Sequence, residues 1–113
     1  MKTRSIGLGA EKAVAKLLES RGHQILAQNW RTPVCEIDLI SRQRKIIYFT
    51  EVKYRHSATQ GSGLSYITPS KLKRIKFAAR IWLQQNNSDD DWRLQAAEVS
   101  GLDFENIELV EIT

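Results

Sequence analysis

The stretch EIDLISRQRKIIYFTEVK, residues 36–53, reads as two extended runs joined by a polar turn. Glu36 to Ile40 and Ile46 to Val52 are rich in branched and aromatic residues, whereas Ser41 to Lys45 is wholly polar. That pattern predicts a β-hairpin. Side chains alternate along a strand, so Glu36, Asp38 and Ile40 are expected to face one way and Ile37 and Leu39 the other. On the second strand Phe49, Glu51 and Lys53 share a face, opposite Tyr48, Thr50 and Val52. The hairpin therefore brings Asp38 and Glu51 onto one face of a sheet, with Lys53 next to them.

On the N-terminal side, residues 5–21 have helical spacing: Ala10, Val14, Leu17 and Leu18 form an apolar stripe with Ala13 beside them. Gly22 follows where left-handed geometry ends helices. Glu11 falls at the margin of the stripe, aimed neither into the core nor straight into water. His23 to Gln28 predicts a short strand, followed by an irregular stretch from Asn29 to Val34 marked by Pro33.

On the C-terminal side, His56 to Ile67 carries Gly61 and Gly63 and reads as a mobile loop. Thr68-Pro69 starts a helix that runs to about Gln85, with Thr as cap and Pro at the first helical position. Its inner stripe is Leu72, Ile75, Ala79, Trp82 and Leu83, while Lys73, Lys76 and Arg80 gather on an outer flank. Asn86 to Asp91 is a polar turn, and Trp92 to Val99 and Ile107 to Ile112 are the last strands. The order α-β-β-β-α-β-β predicts a single-domain α/β sandwich around one mixed sheet, over residues 1–113.

The 113 residues are 42% apolar and 27% charged, ordinary for a soluble globular protein. The single cysteine, Cys35, has no intramolecular partner, which points to a reducing, cytoplasmic setting. The start, Met1-Lys2-Thr3-Arg4, is basic, but Glu11 and Lys12 break the apolar stretch that a signal peptide would need. No segment approaches a membrane span, so no membrane association is expected.

The net charge of +4 is unevenly placed. Residues 1–88 hold sixteen of the seventeen Lys and Arg but five carboxylates, a net +11; residues 89–113 hold eight carboxylates against Arg93, a net −7. Such a basic field suits a polyanion such as DNA or RNA. The five acids within it are Glu11, Glu19, Glu36, Asp38 and Glu51. Acids inside a phosphate-binding field are what a divalent cation acting on a phosphate backbone requires. Magnesium takes hard oxygen ligands, which Asp38 and Glu51 supply, with a backbone carbonyl between Glu51 and Lys53 as a third. Lys53 then stands ready to position the attacking water or to stabilise charge on phosphorus.

The Asp38 … Glu51-Val52-Lys53 arrangement resembles the PD-(D/E)xK nuclease superfamily, and more closely the YraN-type family of small bacterial proteins, which are Holliday-junction-resolvase-like in sequence. The resemblance takes in Gly9-Ala10-Glu11, Ala15 and Leu18, then Ile25-Leu26, Asn29 and Arg31. It continues through Glu36 to Ile40, Phe49 to Lys53, Arg55, Gly61, Thr68-Pro69, Lys71, Ala78-Ala79 and Trp82-Leu83. It implies a restriction-endonuclease-like three-layer sandwich, a mixed central sheet flanked by helices. It also implies Asp38 and Glu51 as ligands of Mg²⁺ (or Mn²⁺), Lys53 as the catalytic lysine and Glu11 as an auxiliary metal or water ligand. By analogy with resolvases, it suggests a homodimer. The sequence departs from the pattern at Cys35, where Gly is usual, at Ile37, where the superfamily has Pro, and at Gln95, where an acid is usual.

The activity expected is magnesium-dependent endonuclease cleavage of branched or damaged DNA, with Arg55, Lys71, Lys73, Lys76 and Arg80 as nucleic-acid contacts. One alternative is a nucleic-acid-binding module whose site is silent or only binds metal. Another is a protein-interaction scaffold that uses the acidic C-terminal part. Glu36 is either a ligand or the partner of Arg31 or Arg55. His23 reads as structural, and His56, in the mobile loop, reads more as a plain loop residue than as a nucleic-acid contact. Trp30, Trp82 and Trp92 read as core residues, and Cys35 as inert.

Overall fold

The computed structural model describes residues 2–55 and 67–112. His56, Gly61 and the rest of the expected loop up to residue 66 lie outside the described residues. Seven elements follow in the expected order: α1 (Lys2–Ser20), β1 (Gln24–Arg31), β2 (Glu36–Gln43), β3 (Ile46–Tyr54), α2 (Pro69–Gln85), β4 (Asp91–Ser100) and β5 (Asn106–Glu111). The strands form one mixed sheet in the order β1-β2-β3-β4-β5. β3 and β4 run parallel and the other neighbours antiparallel. The parallel pair requires a crossover, and α2 supplies it.

One helix packs on each face of this sheet. Leu39 and Ile40 are consecutive on β2 and so point to opposite faces. Leu39 packs with Ala10, Val14, Ala15 and Leu18 of α1, together with Ala97 and Val99 of β4. Ile40 packs with Ile75, Ala78, Ala79 and Trp82 of α2, together with Ile47, Phe49 and Leu94. Phe49 centres that second layer, with the rings of Trp82 and Trp92 each edge-on at 5.9 Å.

The helix ends follow from local chemistry. After α1, Gly22 takes φ +94°, the Gly22 N–H reaches Glu19 O at 3.0 Å and the His23 N–H reaches Leu18 O at 2.9 Å. This double bond to the last carbonyls is a Schellman motif, and glycine enters the left-handed region without steric cost. At the start of α2, Thr68 Oγ1 accepts the Lys71 N–H at 3.1 Å, with Pro69 at the first helical position. Gly9 lets the Phe104 ring approach so closely that a Cβ there would stand 2.6 Å from it.

Three local expectations change. β1 continues to Arg31 where an irregular stretch was expected, because Asn29 takes the left-handed conformation at φ 52° and the ladder resumes beyond it at Trp30↔Ile37 and Arg31↔Glu36. Asparagine tolerates that region far better than branched residues do. The hairpin turn narrows to Arg44 and Lys45, because Ser41, Arg42 and Gln43 still pair with Tyr48, Ile47 and Ile46. Ile37 does not join Leu39 on the α1 side. It packs in the α2-side cluster with its cross-strand partner Trp30, next to the point where Asn29 interrupts the alternation.

Candidate functional site

The paired register of β2 and β3 ends at Leu39↔Thr50, so Asp38 and Glu51 stand opposite one another one step beyond it. In place of the next ladder bond, Asp38 Oδ2 accepts the Val52 N–H at 2.8 Å. On its other side Asp38 is flanked by β1, where the register places it between the pairs Gln28↔Leu39 and Trp30↔Ile37, beside Asn29. One row across three strands therefore carries Asn29, Asp38 and Glu51.

Glu11 reaches this row from α1. Its carboxyl lies within hydrogen-bond reach of Asn29 and Asp38, and it feels the charges of Glu36 and Glu51. Burial is the largest influence and raises its pKa above the usual value, with both charges adding to the rise. Its Oε1 is closed off from solvent without a hydrogen-bond partner. Asp38 is affected most: its pKa is pushed up to about 8, first by burial and then by the charge of Glu51, with Glu11 and Glu36 adding. The Val52 N–H works in the opposite direction, since it favours the charged carboxylate. Near neutral pH these influences favour the protonated form of Asp38.

A cation from the chain is already beside them. Lys71 Nζ, from the first turn of α2, lies 2.8 Å from Glu51 Oε2. Lys53, two residues beyond Glu51 and so on its face, is exposed and pairs in register with Glu98 of β4. Arg55 forms an ion pair with Glu98, the two side chains being 10% and 19% exposed. Arg31 and Glu36 are 3.5 Å apart, an exposed pair of little energetic weight. Cys35 lies near Glu51, and burial raises its thiol pKa, which keeps it un-ionised. His23 has its pKa lowered by burial, with Arg21 adding, and its Nδ1 is 2.9 Å from Ser41 Oγ.

The structure thus brings Glu11, Asp38 and Glu51 together with Lys71, and sets Lys53 on the same face. Lys73 and Arg80 are exposed on α2 and Lys76 is half-buried there, removed from the carboxylates toward the helix C-terminus. Two residues that the sequence reading left without a role belong to the site: Asn29, within reach of Glu11, and Glu98, which holds Arg55. Asn29 was detectable as a residue type able to adopt φ > 0 between two strand-forming runs. Glu98 carried no local signal, since only the parallel register of β3 and β4 places it near Arg55. The acidic end of the chain also folds back onto the basic part, through Arg42–Asp90 at 3.1 Å and Arg55–Glu98.

The donor set consists of hard carboxylate oxygens, one of them buried without a partner, in mutual repulsion; this fits a small divalent cation. As the side chains stand, no three of His, Cys, Asp and Glu among the described residues form a ligating group. Holding an ion would require Glu51 to turn from Lys71 toward Asp38.

Comparison with known proteins identifies a sequence family. A family model described as "Uncharacterised protein family UPF0102" matches residues 10–104. The chain belongs to that family. A UPF0102 protein of Neisseria gonorrhoeae (strain NCCP11945) is 38% identical over 96 residues, covering 84% of each chain. One of Bradyrhizobium sp. (strain BTAi1 / ATCC BAA-1182) is 39% identical over 89 residues, covering 79% of this chain and 64% of the relative. A third, of Vibrio campbellii, is 40% identical over 82 residues, covering 73% and 67%. The UPF0102 match spans α1 from residue 10 onward, α2 and the first four strands, so Glu11, Asp38, Glu51, Lys53 and Lys71 all lie within it. No helix among the described residues of this family member is long and apolar enough to cross a membrane.

Proposed function

We propose that this UPF0102 protein is a cytoplasmic, magnesium- or manganese-dependent endonuclease. It would act on phosphodiester bonds of branched or damaged DNA from a restriction-endonuclease-like, PD-(D/E)xK-type domain. The observation that carries this reading is the convergence of Glu11, Asp38 and Glu51 at the open end of the β2–β3 hairpin, where burial first and then the neighbouring charges push Asp38 up to about 8. A fold gains nothing from gathering like charges in a half-buried place; sites that must take up a cation or a proton do.

In this reading Asp38 and Glu51 hold the cation with Glu11 as auxiliary ligand. The cation supplies a polarised phosphoryl oxygen and an activated water. The chain's own contributions follow from placement. The Val52 N–H keeps Asp38 oriented toward Glu51. Lys53, on the Glu51 face, meets the negative charge that develops on the phosphoryl oxygens. Lys71, ion-paired with Glu51, stands where it would meet a substrate phosphate beside the acids, while Lys73, Lys76 and Arg80 would bind phosphates farther along α2.

The test is a cleavage screen of purified protein against duplex, flap, single-stranded and four-way-junction DNA with Mg²⁺ and Mn²⁺. Metal-dependent products that disappear in Asp38→Asn and Lys53→Ala are expected. Their absence on every substrate would reject the nuclease. The Lys71–Glu51 pair favours one second reading: an ammonium at the acids makes the site self-neutralised, as suits a binding module with silent chemistry. Retained DNA binding without cleavage would select it.

A further inference from the structure

A pocket of about 360 Å³ lies on the α2 side, toward the start of β4, lined by Lys76, Arg80, Trp92, Arg93 and Glu111. Its size falls within the roughly 300–1,000 Å³ of small-ligand sites. Lys76 and Arg80 stand one turn apart on α2, and among the described residues neither forms an ion pair. Arg93 is anchored by a bond from Nη1 to Trp92 O at 2.9 Å, and its Nε is a loose 3.9 Å from Glu111 Oε2. Three cations thus face one carboxylate. Trp92 is half-buried, its ring fixed edge-on against Phe49, so the part that lines the pocket is pre-set.

We propose that this pocket holds one nucleotide of a single-stranded segment, with its phosphate on Lys76, Arg80 and Arg93 and its base against Trp92. Cations beside an immobilised aromatic ring are what an unpaired nucleotide recognises, and a base within a duplex cannot present its face in that way. Glu111 accepts N–H groups and repels phosphate, so it favours the base over a second phosphate at its side.

The proposal rests on nucleic acid being the substrate class of the carboxylate site, but not on cleavage there. Trp92 pairs with Ile47 and Ala96 pairs with Glu51, so pocket and carboxylates are four residues apart along one sheet face, roughly 13 Å at about 3.3 Å per residue. A strand lying along α2 reaches both, and a substrate with an unpaired arm would be held by that arm near the site of attack.

The test uses the full chain and a fluorescently labelled short oligothymidylate, with anisotropy as the readout and the blunt duplex of the same length and inorganic phosphate as competitors. The expected result is preference for the single strand over the duplex, and a loss of about tenfold in affinity, about 1.4 kcal/mol, in Trp92→Leu and in Lys76→Glu/Arg80→Glu. The Lys76→Glu/Arg80→Glu variant is the second readout if Trp92→Leu fails to fold, and it must lower single-strand affinity more than duplex affinity. Wild-type affinity in that variant overturns the proposal. So does a folded Trp92→Leu that binds normally, or inorganic phosphate competing as well as the oligonucleotide per phosphate, which would leave a plain anion pocket. Failure of the nuclease reading looks different: no cleavage on any substrate, with single-strand binding intact.

Discussion

Asp38 Oδ2 accepts the backbone N–H of Val52 at 2.8 Å, and so fastens the most strongly perturbed carboxylate among the described residues to the residue that separates Glu51 from Lys53. The bond makes Asp38 part of the geometry of both. It also separates what its charge does from what its shape does.

Asparagine at position 38 can keep that bond through its amide oxygen, whereas alanine cannot. In chelator at pH 8–9, Asp38→Asn should therefore melt at or above the wild-type temperature. Asp38→Ala should fall below it, having lost a hydrogen bond worth about 1 kcal/mol and left a half-buried N–H unpaired. Thermal melts of the three proteins check this. An asparagine variant that unfolds readily would make Asp38 a purely structural residue.

The pH dependence has a definite sign. The folded pKa of Asp38 is raised, from 3.8 to about 8. The stabilisation associated with its bound proton is fully present below the unfolded value and is lost as pH rises through the folded one. Metal-free wild type should therefore gain melting temperature as pH falls from 9 toward 5, relative to Asp38→Asn, and the gap between the two should close. Parallel melting profiles across that window would contradict the burial and repulsion assigned to this carboxyl.

Divalent cation should reverse the order. Mg²⁺ or Mn²⁺ that binds only the folded chain stabilises it by about 2.7 kcal/mol at a hundredfold excess over Kd. Glu51→Gln and Asp38→Asn should show much less of this shift. Glu11→Gln should show an intermediate one, because it supplies an auxiliary oxygen. Scanning calorimetry with and without metal provides the measurement, and equal shifts in all four proteins would place the ion elsewhere.

The salt dependence of DNA binding tests the outer face of α2. Joint replacement of Lys73, Lys76 and Arg80 should lower the log–log salt slope by about 2–3 if each touches a phosphate of duplex DNA. An unchanged slope would clear that face of any role.

The half-buried pair Arg55–Glu98 should behave asymmetrically. Removing either partner should cost more than replacing both with apolar side chains of similar size. Urea unfolding of Arg55→Met, Glu98→Leu and the double variant forms the cycle. Additive losses would mean that the two charges do not depend on each other.

Much of this was determined by the sequence alone. The pattern of residues 36–53 marked the strand pair that carries Asp38 and Glu51, Thr68-Pro69 placed the start of α2, and helical spacing put Glu11 at the edge of its stripe, since each depends on near neighbours in the chain. Tertiary structure decided what local pattern does not encode. The parallel register of β3 with β4 brought Glu98 to Arg55. The left-handed Asn29 carried β1 past its expected end and into reach of Glu11, and packing of α2 on the sheet set Lys71 against Glu51. The physical reason is range: dihedral preference and side-chain period act over a few residues, whereas the charge environment of a carboxylate is set by every element that folds to within a few ångströms of it.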